Sequence, residues 1–358
     1  MKNNSEDRRK SAARLLQKVR LSLLSEHVLK HLLNEISFFA ENNEFNNMLN
    51  KALVGKKVTQ CNYTSRYCNQ NSFSILLCGG IYDFDEYDRN VSQINGSNFE
   101  DVKDLPPIKT DRVYHVAVCL RGEVFVFSGI NNENIFIESV EKYSPSNNTW
   151  TVVTNMADKR LNFSACAFID KIFIFGGYRS NGNDDYSATN SCLGFSAKYS
   201  SWNEVTSMSV ARESSSCVVF QGNIVVSGGE GVNEDSLSTV ESFDVFADKW
   251  SPMPSMIHGK SYHSLVVVQH KLFVIAQTAY ECEVFDNVCK RFITLKAPLK
   301  APYFTFNKAF SIGSRIVILR NSRSLIICYD VDKKQWSEKP CETTKYLDNF
   351  SCTKLPWY

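Results

Sequence analysis

An excess of charge of either sign is missing from this sequence. In 358 residues, 40 Lys and Arg stand against 38 Asp and Glu, a formal net charge of +2. No nucleic acid and no membrane is therefore expected as a partner, since either selects a strongly basic surface. Also missing is an uninterrupted apolar run near the roughly 18 residues of a membrane-spanning helix. Met1 to Lys10 is polar and charged, without the apolar stretch of a secretory signal. A cytoplasmic location is expected. Twelve cysteines include no CxxC pair. Several, such as Cys119 in VAVCL and Cys166 in SACAFI, sit in apolar strand-like runs, where a reduced thiol behaves as a small hydrophobe. That usage fits a reducing compartment.

Signatures of catalysis are missing as well. No Walker loop, dinucleotide fingerprint or nucleophile elbow occurs. The glycine pairs, such as Gly176-Gly177, close strands with no helix behind them, so they offer no helix N-terminus to a phosphate. His27 and His31 lie four apart and read as a solvated helix face. Cys61/Cys68 and Cys282/Cys289 have a spacing that matches no familiar zinc module. His115 and His263 each stand three residues after a repeated basic position, so a role in the repeat accounts for them. No catalytic residue, no metal and no cofactor is expected, and the chain reads as a non-enzyme.

What is present falls into two parts. Residues 1–57 carry 11 basic and 6 acidic side chains, which leaves 29 against 32 for the rest. Within residues 1–55 apolar side chains recur at helical spacing: Leu15, Leu16 and Val19; then Val28, Leu29, Leu32, Leu33 and Ile36; then Phe45, Met48, Leu49, Ala52 and Leu53. Ser25 is placed to cap the second of these three short helices. Residues 56–70 read as a linker. From 71 to 358 β-branched and aromatic residues run in short blocks bounded by Gly, Asn, Asp, Ser and Pro, which is the texture of strands.

These strands repeat. SILLCGG closes at Gly80, VFVFSG at Gly129, IFIFGG at Gly177 and IVVSGG at Gly229, and decayed copies end at Gln277 and Asn321; the intervals are 49, 48, 52, 48 and 44 residues. An aromatic residue is followed seven positions later by another in Tyr143/Trp150, Phe195/Trp202, Phe243/Trp250, Phe285/Phe292 and Tyr329/Trp336. In the irregular first unit Ile94 takes the first aromatic place and Phe99 that of the Trp. A basic residue, Arg112, Arg160, Arg212 or Lys260, stands 17 positions before the end of four of the copies, and Phe304 holds that place in the fifth. Units of four antiparallel strands bury both sheet faces only by closing into a ring, and six markers predict a six-bladed β-propeller, an all-β fold preceded by the short helical segment. Phe73 to Cys78 is the one clear strand ahead of Gly80, and a spare strand, about Asn349 to Leu355, is expected to complete that first blade as the clasp of the ring. The aromatic pairs read as core between blades.

The Gly-Gly, Tyr/Trp and Arg markers resemble the kelch repeat over about residues 70–358. The stretch SEDRRKSAARLLQKVRLSLLSEHVLKHLL resembles the C-terminal part of the BACK domain, with Val19 to Ser25 as its most telling piece. Together they make the sequence similar to the kelch-like (BTB-BACK-kelch) family, here without the BTB domain and the front of BACK. The resemblance implies the substrate-recognition half of a cullin-RING ubiquitin ligase adaptor, with a cullin scaffold as partner only if a BTB domain is encoded upstream. In that family the strand-opening position lines a client-peptide pocket, which implies roles for Arg112, Arg160, Arg212 and Lys260 and a preference for clients with acidic or phosphorylated segments. Tyr178 and Tyr262 would add aromatic contact area, with Tyr303 and Phe304 on the other side of the ring. The competing reading of the basic residues is that they fix loops by pairing with carboxylates or carbonyls inside the repeat. For the whole chain, an actin-binding cytoskeletal scaffold is the alternative and a propeller enzyme a remote one.

Overall fold

The computed structural model describes residues 73–82, 86–96, 99, 101–180, 186–276, 282–295, 308–319, 325–340, 347–348 and 351–356. The helices expected in residues 1–55, the 56–70 linker, the Cys61/Cys68 pair and Gln277, Tyr303, Phe304 and Asn321 lie outside the described residues. The chain divides into the units Met1–Arg66 and Tyr67–Tyr358, and all the described residues belong to the second.

Every regular element among the described residues is a strand, and the strands form the six blades that the repeat predicts. Blade II runs from the axis outwards as Val116–Leu120, Glu123–Phe127, Ser139–Ser144 and Thr149–Asn155. Blade III is Ser164–Phe168, Lys171–Phe175, Cys192–Ser196 and Ser201–Val205, and blade IV is Ser216–Phe220, Asn223–Ser227, Val240–Asp244 and Lys249–Met253. Blade V is Ser264–Val268, Lys271–Ile275, Glu283–Asp286 and Arg291–Thr294; blade VI is Lys308–Ile312, Arg315–Leu319, Leu325–Asp330 and Gln335–Pro340. The second strand of each is nearly all apolar, as in KIFIF or RIVIL, because it is covered on both faces, and four of its five residues are buried. Each innermost strand touches that of the next blade, and the sequence of contacts returns to its start.

Blade I is made from both parts of the repeat region. Phe73–Tyr82, Glu86–Asn95 and Val102–Leu105 supply three strands, and Ser351–Pro356 pairs antiparallel along Phe73 to Cys78 as the innermost one. Alternate side chains of that last strand reach opposite neighbours. Cys352 packs with Val317, Leu319 and Cys328 of blade VI, whereas Leu355 packs with Ala117, Val124 and Val126 of blade II. Thr353 Oγ1 accepts from Cys119 N at 3.0 Å, and Lys354 Nζ donates to Ser311 O at 3.3 Å.

The seven-residue aromatic spacing is the span of the hairpin between third and fourth strands. All five pairs stand directly across from each other in register, with ring centroids 4.8–5.2 Å apart. They also meet the preceding blade, as Phe195 and Trp202 do through Phe127, and Phe243 and Trp250 through Phe175. The indole N–H groups of Trp150, Trp202 and Trp250 donate to Pro106 O, Asn155 O and Thr206 O of the preceding repeat at 2.7–2.8 Å. Blade I departs from the expectation. Val102 stands opposite Ile94, and Phe99 sits in the turn with φ 64°, from which it reaches the core beside Ile94.

Candidate functional site

The loops that open each repeat and those that follow each glycine pair meet at one end of the blades. At Gly176, with φ +62°, an added Cβ would lie 2.2 Å from Arg212 O, so glycine is required there by the approach of the next repeat's backbone. Gly177 N donates to that same carbonyl at 2.9 Å, and Gly229 N donates to Lys260 O at 2.7 Å. In blade II the first glycine is replaced by Ser128, whose hydroxyl donates to Arg160 O. The basic residue's backbone therefore joins its blade to the one before.

Its side chain works within its own blade, and here the structure corrects the pocket expectation. Arg112, Arg160 and Arg212 are fully buried and Lys260 is 5% exposed, so none of the four lines an open surface. Arg112 donates to Ser128 O (2.9 Å), Ser139 O (3.0 Å), Ser139 Oγ (2.8 Å) and Glu141 Oε1 (2.6 Å). Arg212 repeats the pattern on Gly228 O, Thr239 O, Thr239 Oγ1 and Glu241 Oε1. Lys260 pairs with Glu283 and donates to His258 O. Each guanidinium closes the strand ends that the glycine pair leaves open, and a buried charge is retained because an acid and several carbonyls satisfy it.

The acids escaped the sequence reading, although a signal was present: Glu141, Glu241 and Glu283 each stand two residues before the first aromatic of the pair. The second Glu241 oxygen accepts from Ser209 N at 2.9 Å and Ser209 Oγ at 2.6 Å. Burial alone would raise the Glu241 carboxyl, but the hydrogen bonds from Ser209 and Arg212 outweigh it and hold it below the usual carboxylate range. Blade III is built differently. Leu193 occupies the glutamate's place, and Asp158, two residues before Arg160, supplies the carboxylate to its Nε and Nη2. Asp158 also accepts from Arg179 Nε at 3.2 Å, and that arginine is 44% exposed.

His115 and His263 stand behind this network. Each is buried, with Nε2 hydrogen-bonded to Cys78 O at 2.8 Å and to Ser227 Oγ at 2.7 Å respectively. Burial, with Arg112 beside one and Lys260 beside the other, pushes both down to about 3. They are neutral structural groups at neutral pH. Cys282 is buried and Cys289 exposed, so the pair does not form one site. Among the described residues no group of three or more His, Cys, Asp or Glu side chains is arranged to hold a metal ion. No helix among them is long and apolar enough to cross a membrane.

The tyrosines are placed differently from the arginines. Tyr178 is 36% exposed and stacks on Tyr186 at 5.5 Å, and Tyr186 stacks on Phe136 of blade II at 5.0 Å. These rings ride on a small extra sheet, Arg160–Leu161, Tyr178–Ser180 and Tyr186–Ala188, found on blade III. Tyr262 is half-buried on the loop that enters blade V. This end thus carries exposed aromatic rings and loop polar groups.

The family model described as the KLHDC2/KLHL20/DRC7 Kelch-repeats domain matches residues 67–276. Kelch-like protein 36 of Bos taurus is 25% identical over 176 residues, 46% of this chain and 27% of that protein. Kelch-like protein 35 of Mus musculus is 24% identical over 225 residues, 60% of this chain and 37% of that protein. Alpha-scruin of Limulus polyphemus is 29% identical over 141 residues, 37% of this chain and 15% of that protein. The chain thus spans well under half the length of these curated relatives. Its propeller is a protein-interaction module. With more than half of its 358 residues matched by the repeat model and its blades built on the same markers, the chain belongs to the kelch-like family.

Proposed function

We propose that the propeller recognises client proteins for a cullin-RING ubiquitin ligase in the cytoplasm, and that clients bind the end formed by the repeat-opening and glycine-pair loops. The observation that carries this reading is the partly exposed Phe136–Tyr186–Tyr178 stack, which bridges blades II and III, with the half-buried Tyr262 on the loop that enters blade V. Rigid aromatic rings on short strands and loops held by a buried ion-pair network are preorganised contact groups. The buried arginines position those loops and make no direct contact. The test is quantitative proteomics of proteins retained by the chain and by a Tyr178→Ala/Tyr262→Ala variant in cells. Clients should be lost from the variant and should accumulate when the protein is depleted; a partner set unchanged by the two substitutions sinks the assignment.

An actin-binding scaffold is the second reading, favoured by a separate exposed apolar surface. At the opposite end of blades III to V, Ile169, Tyr199, Phe246 and Val288 are 50–90% exposed, and two faces for partners suit a cross-linker. Cosedimentation of the chain with filaments, reduced by Phe246→Ser and unaffected by Tyr178→Ala, would select this reading.

A further inference from the structure

Two residues past each basic position the backbone makes the same left-handed turn, at Tyr114 (φ 55°), Asn162 (53°), Ser214 (49°) and Tyr262 (51°). These turns are linked around the end of the ring, since Ser214 N donates to Asn162 O at 2.7 Å and Tyr262 N to Ser214 O at 3.0 Å. Tyr114 is 38% exposed. Glu213 and Glu230 adjoin these turns, joined to each other by paired backbone hydrogen bonds of 3.0 and 2.8 Å. Burial first, then Glu230 and Glu234, push the Glu213 carboxyl up against the opposing hydrogen bond that Asn162 Nδ2 donates at 3.0 Å, so three acids crowd one place. Among the described residues none of the three has an ion-pair partner; Arg212, next to Glu213 in sequence, is committed to Glu241, and Lys260 to Glu283. The buried Ser214 side chain is hydrogen-bonded to Tyr262, which lies near Glu230, Glu213 and Tyr114.

We propose that this mouth takes a cationic side chain of a client peptide, an arginine or lysine held over Tyr114 and Tyr262 with its charge on Glu213 and Glu230. The idea rests on the reading that this end binds clients, and it replaces the acidic or phosphorylated segment implied by the basic residues. Half-desolvated carboxylates without a counter-ion attract a guanidinium strongly, and two aromatic faces suit its flat cation.

The experiment pans a random dodecapeptide library on the full chain, then titrates the selected peptides against wild type, Glu213→Gln/Glu230→Gln and Tyr114→Ala/Tyr262→Ala. The expected result is enrichment of an Arg or Lys position and a tenfold or greater loss of affinity in both variants. Acidic selected peptides that still lose binding in the tyrosine variant overturn the cationic preference and leave the client-binding end intact. Peptides indifferent to both variants, or no enrichment at all, overturn both. The glutamine variant preserves side-chain shape and decides the matter if the tyrosine variant does not fold.

Discussion

At the scale of single residues the decisive fact is that the repeat's cation is an internal strut. Removing its acid leaves a charge stranded in the interior, so Glu241→Ala should lower unfolding stability by about 3–5 kcal/mol, measured by urea denaturation, whereas Arg212→Met/Glu241→Leu should cost less than the single change. In blade III the same loss is expected from Asp158→Ala and not from Leu193→Ala beyond its cavity cost, because the acid has changed place. The two buried histidines predict a pH dependence with a definite sign. Their folded values near 3 lie below an ordinary value of about 6.5, so the unfolded chain takes up protons first and stability falls as pH drops below about 6.5. The slope is about 1.4 kcal/mol per pH unit for each. Glu241, held below the usual carboxylate range, adds its own loss of stability only at lower pH. Phe163 fills the equivalent place in blade III, and His115→Phe should roughly halve the slope seen in denaturation series at pH 7, 6 and 5. The positions of the cations were legible in the sequence from a count of residues. Their burial was not, because an arginine that opens a loop looks the same whether its acid partner lies in solvent or, as for Glu141 and Glu241, 29 residues downstream in the same sheet.

At the scale of elements the hairpin between third and fourth strands was the most legible part, since a fixed spacing of seven admits one register. Tyr143/Trp150 and its four counterparts match because two strands and a four-residue turn leave no slack. Phe99 shows where that logic ends: a turn of altered length in blade I moved the aromatic into the bend, and only tertiary packing returned it to the core. The large rings couple neighbouring blades, so Trp250→Ala should cost about 3–5 kcal/mol, read as a lowered urea midpoint. The loss should be shared between blades III and IV, because Trp250 meets Phe175 as well as Phe243. Hydrogen exchange that quickens in Lys171–Phe175 as well as in Val240–Asp244 would show the coupling, and quickening in blade IV alone would refute it.

At the scale of the whole ring, every blade rests on two neighbours, and the strand that closes the circle therefore holds more than its six residues suggest. Ser351–Pro356 covers the inner edge of Phe73 to Cys78, sends Cys352 toward blade VI and Leu355 toward blade II, and adds hydrogen bonds to Ser311 and Cys119. Removing it exposes an unpaired strand edge and two interblade surfaces at once. The stability of a ring is not a sum over separate blades, because opening it at one place frees faces on both sides. A chain ending at Asp348 should therefore lose its single cooperative unfolding transition or show a melting temperature lowered by well over the few degrees expected of a frayed terminus. The same truncation mixed with a synthetic peptide of residues 349–358 should regain cooperativity in a peptide-dependent manner, since binding to the folded state shifts the equilibrium by mass action. Cys352→Asp in the peptide should abolish that rescue, because its charge would enter the interface with Val317 and Leu319. A truncated chain that melts like the intact one would mean that the other five blades hold the circle without their clasp.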